Sequence, residues 1–192
     1  IAAFSVDNER EPSIILRGLN GHLSNDIVCT DVSRVSEDFL PRAHSKSKMY
    51  RYRIRRVPID SPFDHRYAWH FWAPLDLDRM RECANLFVGT HDFQAFRAQG
   101  CSAKSTVRSI VSSRIIEVDD ELHFEIEGKG FLRHMVRILM GALIGVGKGE
   151  LSIQDIHSAL NGGERKALGV TAPAHGLCLV WTSLLDSPSE TR

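Results

Sequence analysis

The sequence predicts an α+β domain, a mixed, largely antiparallel sheet with helices packed on one face. Three stretches carry that expectation. Residues 107–118 and 121–127 are two strand patterns split by Asp119-Asp120, and in the second Leu122, Phe124 and Ile126 alternate with His123, Glu125 and Glu127, as in a half-buried hairpin arm. Residues 131–146 leave almost no polar face, the mark of a helix in a domain interior. Residues 49–57 alternate Tyr50, Tyr52 and Ile54 with Arg51, Arg53 and Arg55, so one face of a further strand is aromatic and the other cationic.

In chain order, residues 1–6 read as a strand, 7–12 as a charged loop, 14–19 as one or two helical turns and 27–32 as a second strand. Residues 58–74 form a loop rich in Pro, Asp and aromatic residues, with a short strand at 67–71. Asp76 is placed to cap a helix over 77–88, with Leu77, Met80, Ala84, Phe87 and Val88 inward and Gly89 as its stop. His91 and Asp92 read as bracing a turn; adjacent residues lack metal-ligand spacing, and no metal site is expected. Gly147 and Gly149 close the interior helix. Ser152 caps an amphipathic helix over 153–160, which Asn161-Gly162-Gly163 ends. Residues 164–175 read as an irregular loop, 177–185 as a final buried strand and 187–192 as a frayed tail.

At 192 residues, 43% hydrophobic and 25% charged, the chain can bury one full core, or one domain plus part of another. Lys+Arg and Asp+Glu balance at 24 each, so a polyanion must be held by local clusters and not by global charge. Cys29, Cys83, Cys101 and Cys178 show no C-x-x-C spacing, which reads as reduced thiols in a cytoplasmic compartment. The apolar run 138–146 is too short to cross a bilayer. The chain opens on IAAFSV without a methionine, in a strand-like run, and we expect a fragment.

The candidate chemistry starts at the interior helix. In a helix over 131–146, Arg133 and Arg137 are four apart and His134 and Arg137 three apart, so the three share one side near its N-terminus. A guanidinium cannot shed its charge and is costly to bury unless an anion meets it. That anion is either a structural carboxylate or a carboxylate or phosphate of a working site. Residues 42–56 contain no acid while Arg42, Lys46, Lys48, Arg51, Arg53, Arg55 and Arg56 are basic, and Arg97, Lys104 and Arg108 form a second patch. Bases interleaved with tyrosines suit a polyanion carrying flat rings. A solvated edge strand with its tyrosines in the core is the other reading.

KMYRYRI at 48–54, GTHDFQAF at 89–96, RAQGC at 97–101, GFLRHMVR at 130–137 and APAHGLCL at 172–179 resemble the tRNA pseudouridine synthase A (TruA) family in order and approximate spacing. The likeness also takes in GLNGHLSNDI at 18–27 and DFLPRAHSKSKMY at 38–50, and so nearly the whole chain. It implies the pseudouridine synthase fold, with residues 1–45 a remnant of the N-terminal catalytic domain and 46–186 the C-terminal domain. It further implies a cofactor-free isomerase that acts on uridines in the anticodon stem-loop of tRNA, commonly as a homodimer. In that family an aspartate attacks the flipped uridine, the glycosidic bond breaks, and the turned base is rejoined through carbon. The aspartate lies in a G-R-T-D-x-G-V-H-type motif. Asp7, Asp26, Asp31 and Asp38 do not sit in one, so the nucleophile is expected upstream of Ile1 and this chain alone is expected to be inactive.

By the same resemblance, Tyr50 falls on the active-site tyrosine that packs on the target base and assists proton removal. Arg137 falls on the arginine that pairs with the nucleophile, and Leu177 on the leucine that walls the pocket. Arg42, Lys46, Lys48, Arg51, Arg97, Lys104, Arg108, Arg133 and His134 are the expected RNA contacts. Ser24, Ala43 and Met49 depart from the family's usual proline, aromatic and basic residues, and Met49 removes one phosphate contact at most. Two other readings stand beside this one. One is a domain of the same fold that binds RNA without modifying it. The other is an acid/base enzyme for a small phosphorylated metabolite, with His134, Arg133 and Arg137 as its anion clamp.

Overall fold

A computed structural model describes residues 1–162 and 168–184. The chain divides into two compact units, Ile1–Ser45 together with the stretch from Leu184, and Lys46–Ser183. The first holds one helix, α1 (Pro12–His22), started by a proline whose missing N–H forfeits no bond at that position. The strands expected over 1–6 and 27–32 do not form. Ile1, Phe4 and Val28 are 76%, 60% and 72% exposed. An extended apolar run becomes a strand only where another strand takes up its backbone donors and acceptors.

The second unit is built on β1 (Ser45–Arg55), β2 (Trp69–His70), α2 (Leu77–Asn85), β3 (Gly89–Asp92), β4 (Val107–Val118), β5 (Glu121–Gly128), α3 (Met135–Gly147), α4 (Ile153–Leu160) and β6 (Leu177–Leu184). The sheet runs β2-β1-β5-β4-β3, with β6 also paired to β1. Neighbours are antiparallel from β1 through β5 and β4 to β3, and β2 lies parallel to β1, so the sheet is mixed and largely antiparallel as patterned. Asp119, at φ 50°, makes the β4–β5 turn, a left-handed conformation that a short polar side chain tolerates.

Register decides the core. Tyr52 faces Phe124, which faces Ile115, and the helices cover this side. Phe87 meets Phe124 edge-on at 6.4 Å, and α3 is buried along nearly its whole length. At its far end Gly147 lies so close to Met80 and Leu75 that a Cβ would come within 3.0 Å of both side chains. α4 is capped by Ser152 as expected, and Asp155 completes a reciprocal capping box.

Four expectations need correction. The helix over 77–88 ends at Asn85, because the N–H groups of Leu86, Phe87 and Val88 reach back three residues and not four. Gly89, at φ 112°, then opens β3, where the sequence suggested only a turn. The helix over 131–146 begins at Met135: His134 is left-handed at φ 59° and the Met135 N–H closes a turn on the Leu132 carbonyl at 3.1 Å. The last strand is not buried. Leu179, Val180 and Trp181 are 47%, 39% and 39% exposed, since apolar content does not distinguish a buried strand from an edge strand. Gly163, residues 164–167, Leu185 and the tail 187–192 lie outside the described residues.

The segment 168–172 crosses α3 at Gly141, where a Cβ would stand 1.8 Å from the Val170 carbonyl oxygen. Gly141→Ala must displace that segment or bend the helix. Urea unfolding should show a loss of about 3 kcal/mol or somewhat more; unchanged stability would contradict the close crossing.

Candidate functional site

The site grows from β1. Tyr50 and Tyr52 are two residues apart and project to the same side of the strand, but they do different things. Tyr52 is fully buried, and its hydroxyl donates to the Pro173 carbonyl at 2.7 Å. Burial raises its phenol pKa well above the ordinary value, an effect that nearby Arg137 partly offsets. Tyr50 is half-buried and meets Phe131 edge-on at 5.0 Å and 81°. Burial raises its phenol too. The hydroxyls of both residues are therefore protonated at neutral pH.

Arg137 stands in the first turn of α3 and is half-buried. Its Nε donates to the Ala172 carbonyl at 2.7 Å, and the Ala172 N–H returns a bond to the Arg137 carbonyl at 3.1 Å. Among the described residues no carboxylate forms an ion pair with this guanidinium. Gly176 seats the loop on the tyrosine: a Cβ there would lie 2.7 Å from the Tyr52 ring and 2.9 Å from the Arg53 carbonyl oxygen. Leu177 follows at once, half-buried against the core. Tyr52, Arg137 and the 172–177 loop thus form one linked corner, with Tyr50 and Phe131 on the adjoining stretch of strand and turn.

Arg133 and His134 do not join Arg137 on one helix side as the sequence suggested. The left-handed His134 breaks the register before the helix starts, so the four-residue spacing carries no helical geometry. Arg133 is stitched instead to the preceding loop: its Nη1 donates to the Gln99 carbonyl at 3.2 Å, and its own carbonyl accepts from the Ala98 N–H at 3.0 Å. That loop also draws in Arg108, whose Nη1 donates to the Ser105 and Val107 carbonyls and whose stem lies over Gly130. Cys101 is surrounded by these groups. The backbone N–H groups of Arg133 and Ala103 lower its thiol pKa, and Arg97 and Arg108 lower it further. Lys104, on the same loop, is exposed, as are Arg42 and Lys46, while Lys48 is half-buried.

The cationic face of β1 is largely committed. Arg51 places Nε and Nη2 on one oxygen of Glu125, at 2.9 and 2.7 Å, and Arg114 places the same pair on the other, at 2.9 and 2.6 Å. Glu125 is 4% exposed. Burial alone would raise its carboxyl pKa; the bonds from Arg114 and Arg51 outweigh that and hold it below the usual range. One carboxylate between two guanidiniums leaves this rung with one surplus positive charge. Arg53 pairs with Glu121, which also holds His123, and Arg55 with Asp64. Sequence reasoning missed two participants. Phe131, expected inside the helix, is instead the ring against Tyr50. Tyr52, which the pattern assigns with Tyr50 either to a face for bases or to the core, is buried, and nothing in its spacing indicates its bond to Pro173.

No group of His, Cys, Asp or Glu among the described residues is arranged to hold a metal. A family model described as tRNA pseudouridine synthase matches residues 83–182. The chain is 44% identical over 163 residues to the tRNA pseudouridine synthase A of Syntrophotalea carbinolica, a match covering 85% of this chain and 65% of that protein, just under two thirds of its length. It is 41% identical over 180 residues to the Geotalea uraniireducens protein of the same description, covering 94% and 74% of the two chains. With that of Myxococcus xanthus it shares 40% identity over 189 residues, 98% and 71% of the two.

The Glu125 bridge has a testable pH dependence. Its folded pKa lies below the unfolded value of about 4.3, so the stabilisation is complete above that value and is lost as pH falls through the depressed folded value. Glu125→Gln should cost about 2 kcal/mol at pH 7 and flatten the acid limb of the stability profile. An acid limb of unchanged slope would mean that the bridge is not what titrates.

Proposed function

Because the chain belongs to the tRNA pseudouridine synthase family, we propose that the intact protein isomerises uridine to pseudouridine in the anticodon stem-loop of tRNA. The observation that carries this reading is Arg137: half-buried, tethered through Nε to the Ala172 carbonyl, and without a carboxylate partner among the described residues. Among the described residues that bond uses Nε and leaves both terminal amino groups for an anion. No aspartate of this chain lies in a G-R-T-D-type motif, so we assign the nucleophilic carboxylate to residues outside these 192. Held against Arg137, that carboxylate stays ionised and aimed, as attack on the flipped uridine requires.

Tyr50 supplies a ring for the extruded base, and Phe131 keeps that ring in place. Stacking there offsets the few kcal/mol that unstacking a nucleotide costs. The tyrosine's hydroxyl, protonated at neutral pH, donates or relays a proton only within a hydrogen bond to the bound base. Leu177 walls the pocket from the linked loop. Arg97, Lys104, Arg108 and Arg133 are assigned to backbone phosphates, with Arg42, Lys46, Lys48 and His134 as further contacts; these recognise the folded RNA by shape and charge. Arg51 adds to the field mainly through its rung with Glu125 and Arg114.

We place the protein in the cytoplasm as a homodimer. The homodimer rests on the resemblance to the family alone. No helix among the described residues is long and apolar enough to cross a membrane.

Arg137→Ala in the intact protein should lower pseudouridine formation by about 10²–10³-fold, while the Kd for tRNA moves less than about threefold. Equal losses in both would make Arg137 a phosphate contact, and full turnover would refute the assignment. Tyr50→Phe preserves the ring and should slow turnover without weakening tRNA binding. Wild-type rates in that variant would remove the hydroxyl from the mechanism. An intact protein that binds tRNA with no turnover at all would be a binding domain of the same fold.

A further inference from the structure

The Tyr52 hydroxyl is a buried polar group that the proposed chemistry does not use. It spans from β1 to the loop before β6, and its acceptor is the Pro173 carbonyl, one residue beyond the Ala172 carbonyl that takes the Arg137 Nε–H. Two consecutive carbonyls are therefore held by two side chains from different elements. The peptide between them cannot turn to suit one without disturbing the other. The Ala172 N–H is fixed as well, on the Arg137 carbonyl, and Gly176 admits no side chain that would lift the loop off the Tyr52 ring.

We propose that Tyr52 is a positioning residue for Arg137, acting through the Ala172–Pro173 carbonyl pair, and that this tether sets how the guanidinium presents its two terminal amino groups to a carboxylate. A carboxylate meeting this arginine is engaged end-on, through Nη1 and Nη2, because the side-on edge that includes Nε is occupied by the Ala172 carbonyl. The assignment rests on the reading of Arg137 as the partner of the nucleophile. The tether itself is a property of the fold and is measured separately.

Tyr52→Phe keeps the ring against Gly176 and removes only the hydroxyl. In the intact protein, exchange of the Arg137 Nε–H with water, followed by nitrogen-15 NMR of arginine side chains, should be slow and should quicken at least about tenfold in Tyr52→Phe. Unchanged exchange overturns the tether whether or not the protein is an enzyme. In single-turnover assays on anticodon stem-loop RNA, Tyr52→Phe should lower the rate of the chemical step by about tenfold with the RNA Kd unchanged. In an Arg137→Lys background, where no Nε–H of that geometry exists, the same substitution should change the rate less than about twofold. A tenfold loss in both backgrounds would show Tyr52 acting independently of Arg137 and overturn the proposal. A quickened exchange with no turnover in the wild-type protein would uphold the tether and reject the enzymatic reading instead.

Discussion

The second unit is organised around an exchange of two hydrogen bonds between Arg137 and Ala172. A guanidinium at the start of a buried helix must either reach water or find fixed acceptors, since it cannot become neutral. Here one acceptor is a main-chain carbonyl, and the same residue's N–H returns to the helix. The result joins α3 to the loop before β6. Gly141 permits the close crossing that this requires, and the buried Tyr52 hydroxyl secures the next carbonyl along. Helix, loop and strand meet at one cation.

That arrangement separates two kinds of positive charge. Arg51, Arg53, Arg55 and Arg114 are matched by carboxylates across the sheet or from the following loop, and they hold β1, β5 and β4 together more than they advertise charge. Among the described residues Arg137 has a carbonyl in place of a carboxylate, which satisfies one N–H without neutralising the ion. Arg97, Arg108 and Arg133 gather around the 97–105 loop, where the Cys101 thiol is lowered first by the backbone N–H groups of Arg133 and Ala103 and then by the charges of Arg97 and Arg108. A polyanion would meet guanidiniums held by main-chain carbonyls on the loop, and on the sheet guanidiniums paired to carboxylates with one surplus charge at the Arg51–Glu125–Arg114 rung. This division follows from cross-strand register, because each β1 arginine has a β5 glutamate opposite or diagonal to it.

Much of this was legible in the residues themselves. The β4–β5 hairpin, the apolar interior helix, the Asp76 cap and the capped helix from Ile153 all follow from local pattern, and the structure places them within a few residues. The misreadings share a physical cause. Pairing in a sheet is non-local, so β3 was missed, the early strands were expected where none forms, and β6 was thought buried. A left-handed His134 has no signature of its own, and it alone removed Arg133 from the helix. The paired state of Arg51 needed the register with Glu125, and Tyr52's contact with Pro173 spans 121 residues, beyond the reach of any periodicity.

The most direct test of this account is a crystal structure of the intact protein, refined well enough to orient the Arg137 side chain. We expect a carboxylate from outside the present residues about 3 Å from both terminal nitrogens, with Nε still on the Ala172 carbonyl. Terminal nitrogens facing bulk water, or Nε taken over by the carboxylate, would contradict it.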